Sequence, residues 1–364
     1  MPRRIIDHRE RDLTARFDHL QDEITRFSDL SVSDSFDSRF TKIDEIFDDI
    51  DRRRSDVEAN PDVDPLYQRY LSKVLSAEAN IAELELVLTH LELYSNHRDH
   101  SRDRICHVRN ICDELTDSFG LTATCLPVIR ENYSLLPLLD NEYYVIYIPR
   151  GQDIIPTTPI LAHEVAHAIL DQRSARSDQQ SARSDDFTER FGELRRQMST
   201  ARAERDFYEN WDYWYDELFC DVAGFFAFGP SYVCAQLHHL LTRRPYNIIR
   251  NVRVEDEYLH PPEALRAEVV TTLADEYLPD ELLESLEHVR DEYTEHLERT
   301  INSKPSFYDQ WVDDQLVDAV VSDAESVNDD LDNLCQHLLN GTDYDEAPDF
   351  EYRLKANQYW LDEY

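Results

Sequence analysis

The sequence predicts a mainly helical protein of the α+β class, with a small sheet set beside one buried helix. Three observations predict it. Apolar residues recur at helical spacing early in the chain, as in Leu66-Tyr70-Leu71-Val74-Leu75 and Ile81-Leu84-Leu88-Leu91. Glycine is nearly absent, six in 364 residues, which disfavours the tight turns of an all-β fold. One run, Tyr143-Tyr144-Val145-Ile146-Tyr147-Ile148, is aromatic and β-branched and reads as a strand.

Taken in order, residues 1–120 form an N-terminal helical, coiled-coil-like region. Residues 7–56 are highly charged, with sparse apolar positions at Leu13, Phe17, Leu20, Ile24 and Phe27, and predict an arm or a helical hairpin. Asn60-Pro61 and Asp64-Pro65 interrupt the pattern and mark a helix–helix connection. Residues 121–278 form a core holding the strand and two chemically loaded helices. Thr157, Thr158 and Pro159 read as the start of the first of these, a hydroxyl cap followed by proline in the first turn. Residues 171–186 contain the tandem repeat Ser174-Ala175-Arg176-Ser177-Asp178 and Ser181-Ala182-Arg183-Ser184-Asp185 and predict a mobile loop. A duplication in a tolerant surface loop explains it better than a lid.

A charged helix is expected from Phe187 to Tyr208, and a second loaded helix from Tyr208 to Phe228. The latter begins with Trp211, Tyr213, Trp214 and Tyr215, which read as core or pocket wall. Gly229-Pro230 ends it, and Ser231 is expected to cap a helix running to about Leu241. Pro261-Pro262 opens a helix from Glu263 to Tyr277. Residues 279–364 form an acidic C-terminal helical region, with helices at about 280–300 and 306–340 and a tail from Gly341 that shows no period.

The net charge is −39, and only four lysines occur, Lys42, Lys73, Lys304 and Lys355. Aspartate is spread along the whole chain. This balance looks like that of proteins from organisms with molar salt in the cytoplasm, where self-repulsion is screened over about 3 Å at 1 M salt. No basic patch exists to meet phosphates, so nucleic-acid binding is disfavoured. No apolar run reaches membrane-spanning length, and the start MPRRIIDHRERDL has no apolar signal core. The six cysteines, Cys106, Cys112, Cys125, Cys220, Cys234 and Cys335, lack paired short spacings. A cytoplasmic soluble protein is expected.

The most informative stretch is His163-Glu164-Val165-Ala166-His167. From Ile160 to Leu170 its His163, Glu164 and His167 are the only polar side chains. Residues four apart share a helix face, so both imidazoles can grip one metal ion, with Glu164 beside them to act on a metal-bound water. A catalytic zinc site needs a third protein ligand. The best source is Asp216-Glu217-Leu218-Phe219-Cys220-Asp221, where Glu217 and Asp221 share a face. Asp221 is the only charge between Leu218 and Phe228 and must be paired to stay ionised. A ligand histidine N–H is its natural partner, which leaves Glu217 as the ligand. Asp216 and Asp221 are the rival third ligands.

With H-E-x-x-H on one helix and E-x-x-x-D on a following one, the chain resembles the gluzincin metallopeptidases, the thermolysin-like class. The resemblance covers roughly residues 140–270 and is specific at five positions. It implies a zincin-like core and Zn²⁺ held by His163, His167 and Glu217. It implies Glu164 as general base and Asp221 as support for a ligand histidine. Glu217 follows His167 by 50 residues, a longer gap than in compact members. By the same resemblance His260, in Tyr258-Leu259-His260-Pro261-Pro262, is the donor that stabilises the oxyanion, with Tyr258 in reserve.

The expected function is therefore zinc-dependent hydrolysis of a peptide or protein substrate. The strand at Tyr143–Ile148 is expected to pair with an extended peptide by strand addition. One rival is a narrow regulatory protease whose N-terminal helices select one protein partner. Another is a helical interaction protein whose metal site is structural or vestigial, with four protein ligands and no open position.

Overall fold

A computed structural model describes residues 3–27, 33–60, 64–130, 133–138, 143–150, 153–176, 185–197, 202–241, 260–300, 314–325, 331–343 and 345–363. The chain is mainly helical with one three-stranded sheet and divides into two compact units. The first comprises residues 1–102 with 137–145, and the second residues 103–136 with 146–364. The boundary passes through two of the strands.

In the first unit, α1 (Arg3–Thr25) and α2 (Ser33–Ala59) both lie against α3 (Asp64–His100), a helix of 37 residues. The sparse apolar positions of α1, Leu13, Phe17, Leu20 and Ile24, are all buried, as are Phe36, Ile43 and Ile50 at seven-residue intervals on α2. Phe17 contacts the rings of Phe40 and Phe47 at centroid separations of 5.7 and 5.6 Å. Arg16 reaches α3 with a two-pronged bond to Glu85, 2.7 Å at each prong. Helix α2 ends at Ala59 and α3 begins at Asp64, so Asp64-Pro65 opens a helix, whereas Leu75, read as part of the apolar repeat, is 48% exposed.

The second unit begins with α4 (Arg102–Ser118) and continues into β1 (Thr124–Arg130), β2 (Ser134–Leu138) and β3 (Tyr143–Pro149). The strand order is β1-β3-β2. The expected strand at Tyr143–Ile148 is present and nearly all buried, but it is the middle strand. Both of its flanks are hydrogen-bonded already, so the expectation that it receives an extended peptide by strand addition fails.

The helices that follow are α5 (Ile154–Arg176), α6 (Asp185–Gln197), α7 (Arg202–Phe228), α8 (Pro230–Leu240), α9 (Glu263–Tyr277), α10 (Asp280–Glu284), α11 (Glu287–Thr300), α12 (Asp314–Glu325), α13 (Leu331–Leu339) and α14 (Glu351–Glu363). The most extensive pairing is α5 on α7, with α8, α9 and α14 packed around it. Trp211, Trp214, Phe219, Phe225 and Phe228 of α7 are fully buried, at about 1.5–3 kcal/mol for each large apolar side chain.

Several boundaries differ from those read in the sequence. Helix α5 starts at Ile154 rather than at Thr157, and Pro159 lies inside it. Its cap is Asp153, whose Oδ1 accepts from the Ile155 amide at 3.3 Å, while Thr157 and Thr158 turn their hydroxyls back to the carbonyls of Asp153 and Ile154. The repeat lies partly in the end of α5 and the start of α6, and residues 177–184 lie outside the described residues. The single helix expected at 280–300 breaks between α10 and α11, where the Ser285 hydroxyl donates to the Leu282 carbonyl. The one expected at 306–340 contains α12 and α13. The tail carries α14, whose buried face holds Arg353, Leu354, Ala356, Asn357 and Trp360.

Between α7 and α8, Gly229 takes φ +56° and ψ −127° and is itself the N-cap, so Ser231 does not cap α8. Three residues past Asp221, Gly224 lets the ring of Tyr232 lie directly on α7. A Cβ there would sit 2.7 Å from Tyr232 Cζ and 2.8 Å from Cδ2. Alanine in a helix interior gains about 0.8–1 kcal/mol over glycine, whereas overpacking a core costs about 1–3 kcal/mol. The ring cannot retreat, because its hydroxyl is hydrogen-bonded to Asp221. Gly224→Ala is therefore expected to lower the denaturant midpoint, by about 1–2 kcal/mol net. A rise in stability would show that the close approach imposes no constraint.

Candidate metal centre

Helix α5 is apolar around most of its circumference. Leu161, Ala162, Val165, Ala166 and Ala168 are at most 1% exposed, so the helix is enclosed and its polar side chains need partners. His163 is 5% exposed and His167 lies at the edge of the site with its side chain 26% exposed. Their ring centroids are 5.1 Å apart and the planes cross at 85°.

Helix α7 brings Glu217 against both rings. Glu217 Oε2 lies 3.4 Å from His163 Nε2, and Oε1 lies 3.8 Å from His167 Nε2. Among the described residues, His163, His167 and Glu217 are the one group of three ligand-type side chains whose donor atoms lie close enough, within 4.8 Å of one another, to hold a metal ion. Metal–ligand bonds of about 2.0–2.2 Å in a tetrahedron separate the donors by roughly 3.3 Å. The spacings from Glu217 to the two rings, 3.4 and 3.8 Å, lie near that value. Glu217 Oε2 is buried, and imidazole nitrogens face it, His260 Nδ1 at 2.9 Å and His163 Nε2 at 3.4 Å.

Asp221, fully buried one turn later, is the centre of a dense set of donors. Its Oδ1 accepts from His163 Nδ1 at 2.9 Å, the Tyr232 hydroxyl at 2.7 Å, Gln236 Nε2 at 3.0 Å and Arg266 Nη2 at 2.7 Å. Its Oδ2 accepts from Arg266 Nε at 2.7 Å. An ionised carboxylate only accepts, so His163 Nδ1 carries a proton and Nε2 faces Glu217. The expected bond between Asp221 and His163 is thus present.

The charges settle accordingly. Burial alone would raise the Asp221 carboxyl, but Arg266 and His163 hold it well below the usual carboxylate range. Glu217 is likewise held low against burial by His163 and His260. Burial would lower His163, yet its bonds to Asp221 and Glu217 raise it to about 9. Burial takes His167 down to about 4, leaving it neutral at pH 7. Glu164 is raised, by burial first, with Glu217 adding to the rise and His163, Arg266 and His260 opposing it.

His260 stands at the N-terminal approach to α9, about half exposed, with Nδ1 2.9 Å from Glu217 Oε2. It therefore neighbours the third ligand-type side chain. Tyr258 lies outside the described residues. Of the rival third ligands, Asp221 is engaged by Arg266 and His163, and Asp216 does not join the group.

Three residues were missed in the sequence: Arg266, Tyr232 and Gln236. Arg266 is the only cation in α9, and it also lies 3.9 Å from Glu217 Oε2. Tyr232 and Gln236 are four apart on α8, on one face. Its standing as the lone cation among the four acids of α9 was the available signal for Arg266.

Glu217→Ala is expected to leave little metal bound after desalting, while the unaltered chain retains close to one zinc, as read by elemental analysis. Equal retention by both would remove Glu217 from the ligand set. The comparisons with known proteins add no relative: no protein-family model matches the chain, and no curated protein or solved structure is significantly similar to it.

Proposed function

We propose that the chain is a zinc-dependent hydrolase that cleaves peptide bonds, with Glu164 as general base. The observation that carries this reading is the meeting of His163, His167 and Glu217 from two helices, with ligand-type atoms within 4.8 Å of one another. Two imidazoles and one carboxylate leave a position for water in a four-coordinate site. When bound, zinc supplies Lewis acidity and brings the pKa of a water to about 7.

The chain's own groups do the rest. Asp221 fixes the His163 tautomer and turns Nε2 inward. Glu164, next to His163 on α5, accepts the proton of the attacking water and returns it to the leaving amine. His260 stands near enough to Glu217 to donate toward negative charge that develops on the substrate oxygen.

The H-E-x-x-H and E-x-x-x-D pattern is that of gluzincins, and this likeness rests on five side chains. A second reading draws on the 2.9 Å approach of His260 to Glu217. Were His260 a fourth ligand, the site would be closed and structural. A narrow-target protease using the α1–α3 unit to choose one protein is a variant of the first reading.

Glu164→Gln separates these. It is expected to keep its zinc and to lose peptide hydrolysis by about 10²–10⁴-fold, the usual worth of general base catalysis. An active variant would reject the assignment of Glu164. Four protein ligands in the X-ray absorption spectrum of the zinc protein would favour the structural site.

A further inference from the structure

Helix α8 supplies two of the groups that hold Asp221, yet its own start has no side-chain cap, because Gly229 occupies the cap position. The missing group comes from the far end of the chain. Asn357 of α14 is fully buried, and its Oδ1 accepts from the Ser231 amide at 2.9 Å. Its Nδ2 donates to the Phe228 carbonyl and the Arg353 carbonyl, each at 2.9 Å. One side-chain amide therefore bonds the last turn of α7 and the first turn of α8 on either side of Gly229.

We propose that Asn357 is a positioning residue for the metal centre, acting through α8. The relay is short. Asn357 sets how α8 leaves α7; α8 aims the Tyr232 hydroxyl and Gln236 amide at Asp221; Asp221 orients His163. The same helix also grips the other metal helix, since Trp360 Nε1 donates to the Pro156 carbonyl in the first turn of α5 at 3.0 Å. Helix α14 thus bonds to the first turn of α5 and to the last turn of α7. Asparagine is the small side chain that presents an acceptor to Ser231 and donors to two carbonyls together.

This inference rests on the metal-binding reading of His163, His167 and Glu217, and the test keeps the two apart. Co²⁺ is titrated into the full metal-free chain, and its visible absorption reports ligand geometry. Binding of one Co²⁺ by the unaltered protein supports the metal reading, and no binding by it overturns that reading and this one together. Asn357→Ala is expected to bind Co²⁺ about tenfold more weakly, as loss of an outer support does, and to show an altered spectrum at saturation. Asn357→Ser, a milder change that retains one polar group, is expected to fall between and serves alone where the alanine variant does not fold. Spectra and affinities of the folded variants that match the unaltered protein would overturn the positioning role while leaving the metal site intact.

Discussion

Asp221 carries a full negative charge in a place with no access to water, and four helices are arranged so that it can. An isolated carboxylate there would take up a proton. Instead Arg266 from α9, Tyr232 and Gln236 from α8 and His163 from α5 all turn their donors onto a residue of α7. Removing one partner from such a buried pair leaves uncompensated charge and costs about 3–5 kcal/mol. Packing of the second unit and orientation of His163 are consequently one problem. The helices cannot slide without breaking bonds to Asp221, and His163 cannot rotate without losing its acceptor.

Much of this was legible where chemistry conflicts with hydropathy. His163, Glu164 and His167 stand out because they interrupt an apolar helix, and Asp221 because it interrupts another. Their meeting follows from the need to satisfy both. Arg266 obeys the same logic, but it sits among alanines, a glutamate and valines that read as an ordinary amphipathic helix, so its burial was hidden. Tyr232 and Gln236 gave no such signal, since neither type is unusual on a helix. What brings Tyr232 into place is the absence of a side chain at Gly224, a feature visible only once α7 and α8 are packed.

The helix boundaries were harder to read because local cues competed. Thr157-Thr158-Pro159 has the composition of a helix start, yet Asp153 provides the cap one turn earlier and the two hydroxyls bond backward instead. The C-terminal helix escaped notice for a different reason. Its buried stripe has helical period, but Arg353 and Asn357 occupy it, so hydrophobicity alone shows no repeat. Asn357 is satisfied by three backbone groups and Arg353 by contacts that include Ser118 and Glu114. Burial in this protein is set by partner availability as much as by apolar character.

The three-stranded sheet has a built-in limit on its width. Both outer strands contain a proline, Pro127 in β1 and Pro137 in β2, whereas the interior of β3 has none. Proline offers no amide hydrogen to a neighbour and is found where a ladder ends. The rims are therefore poor templates for a further chain, which guards this strongly apolar sheet against edge-to-edge association with other molecules.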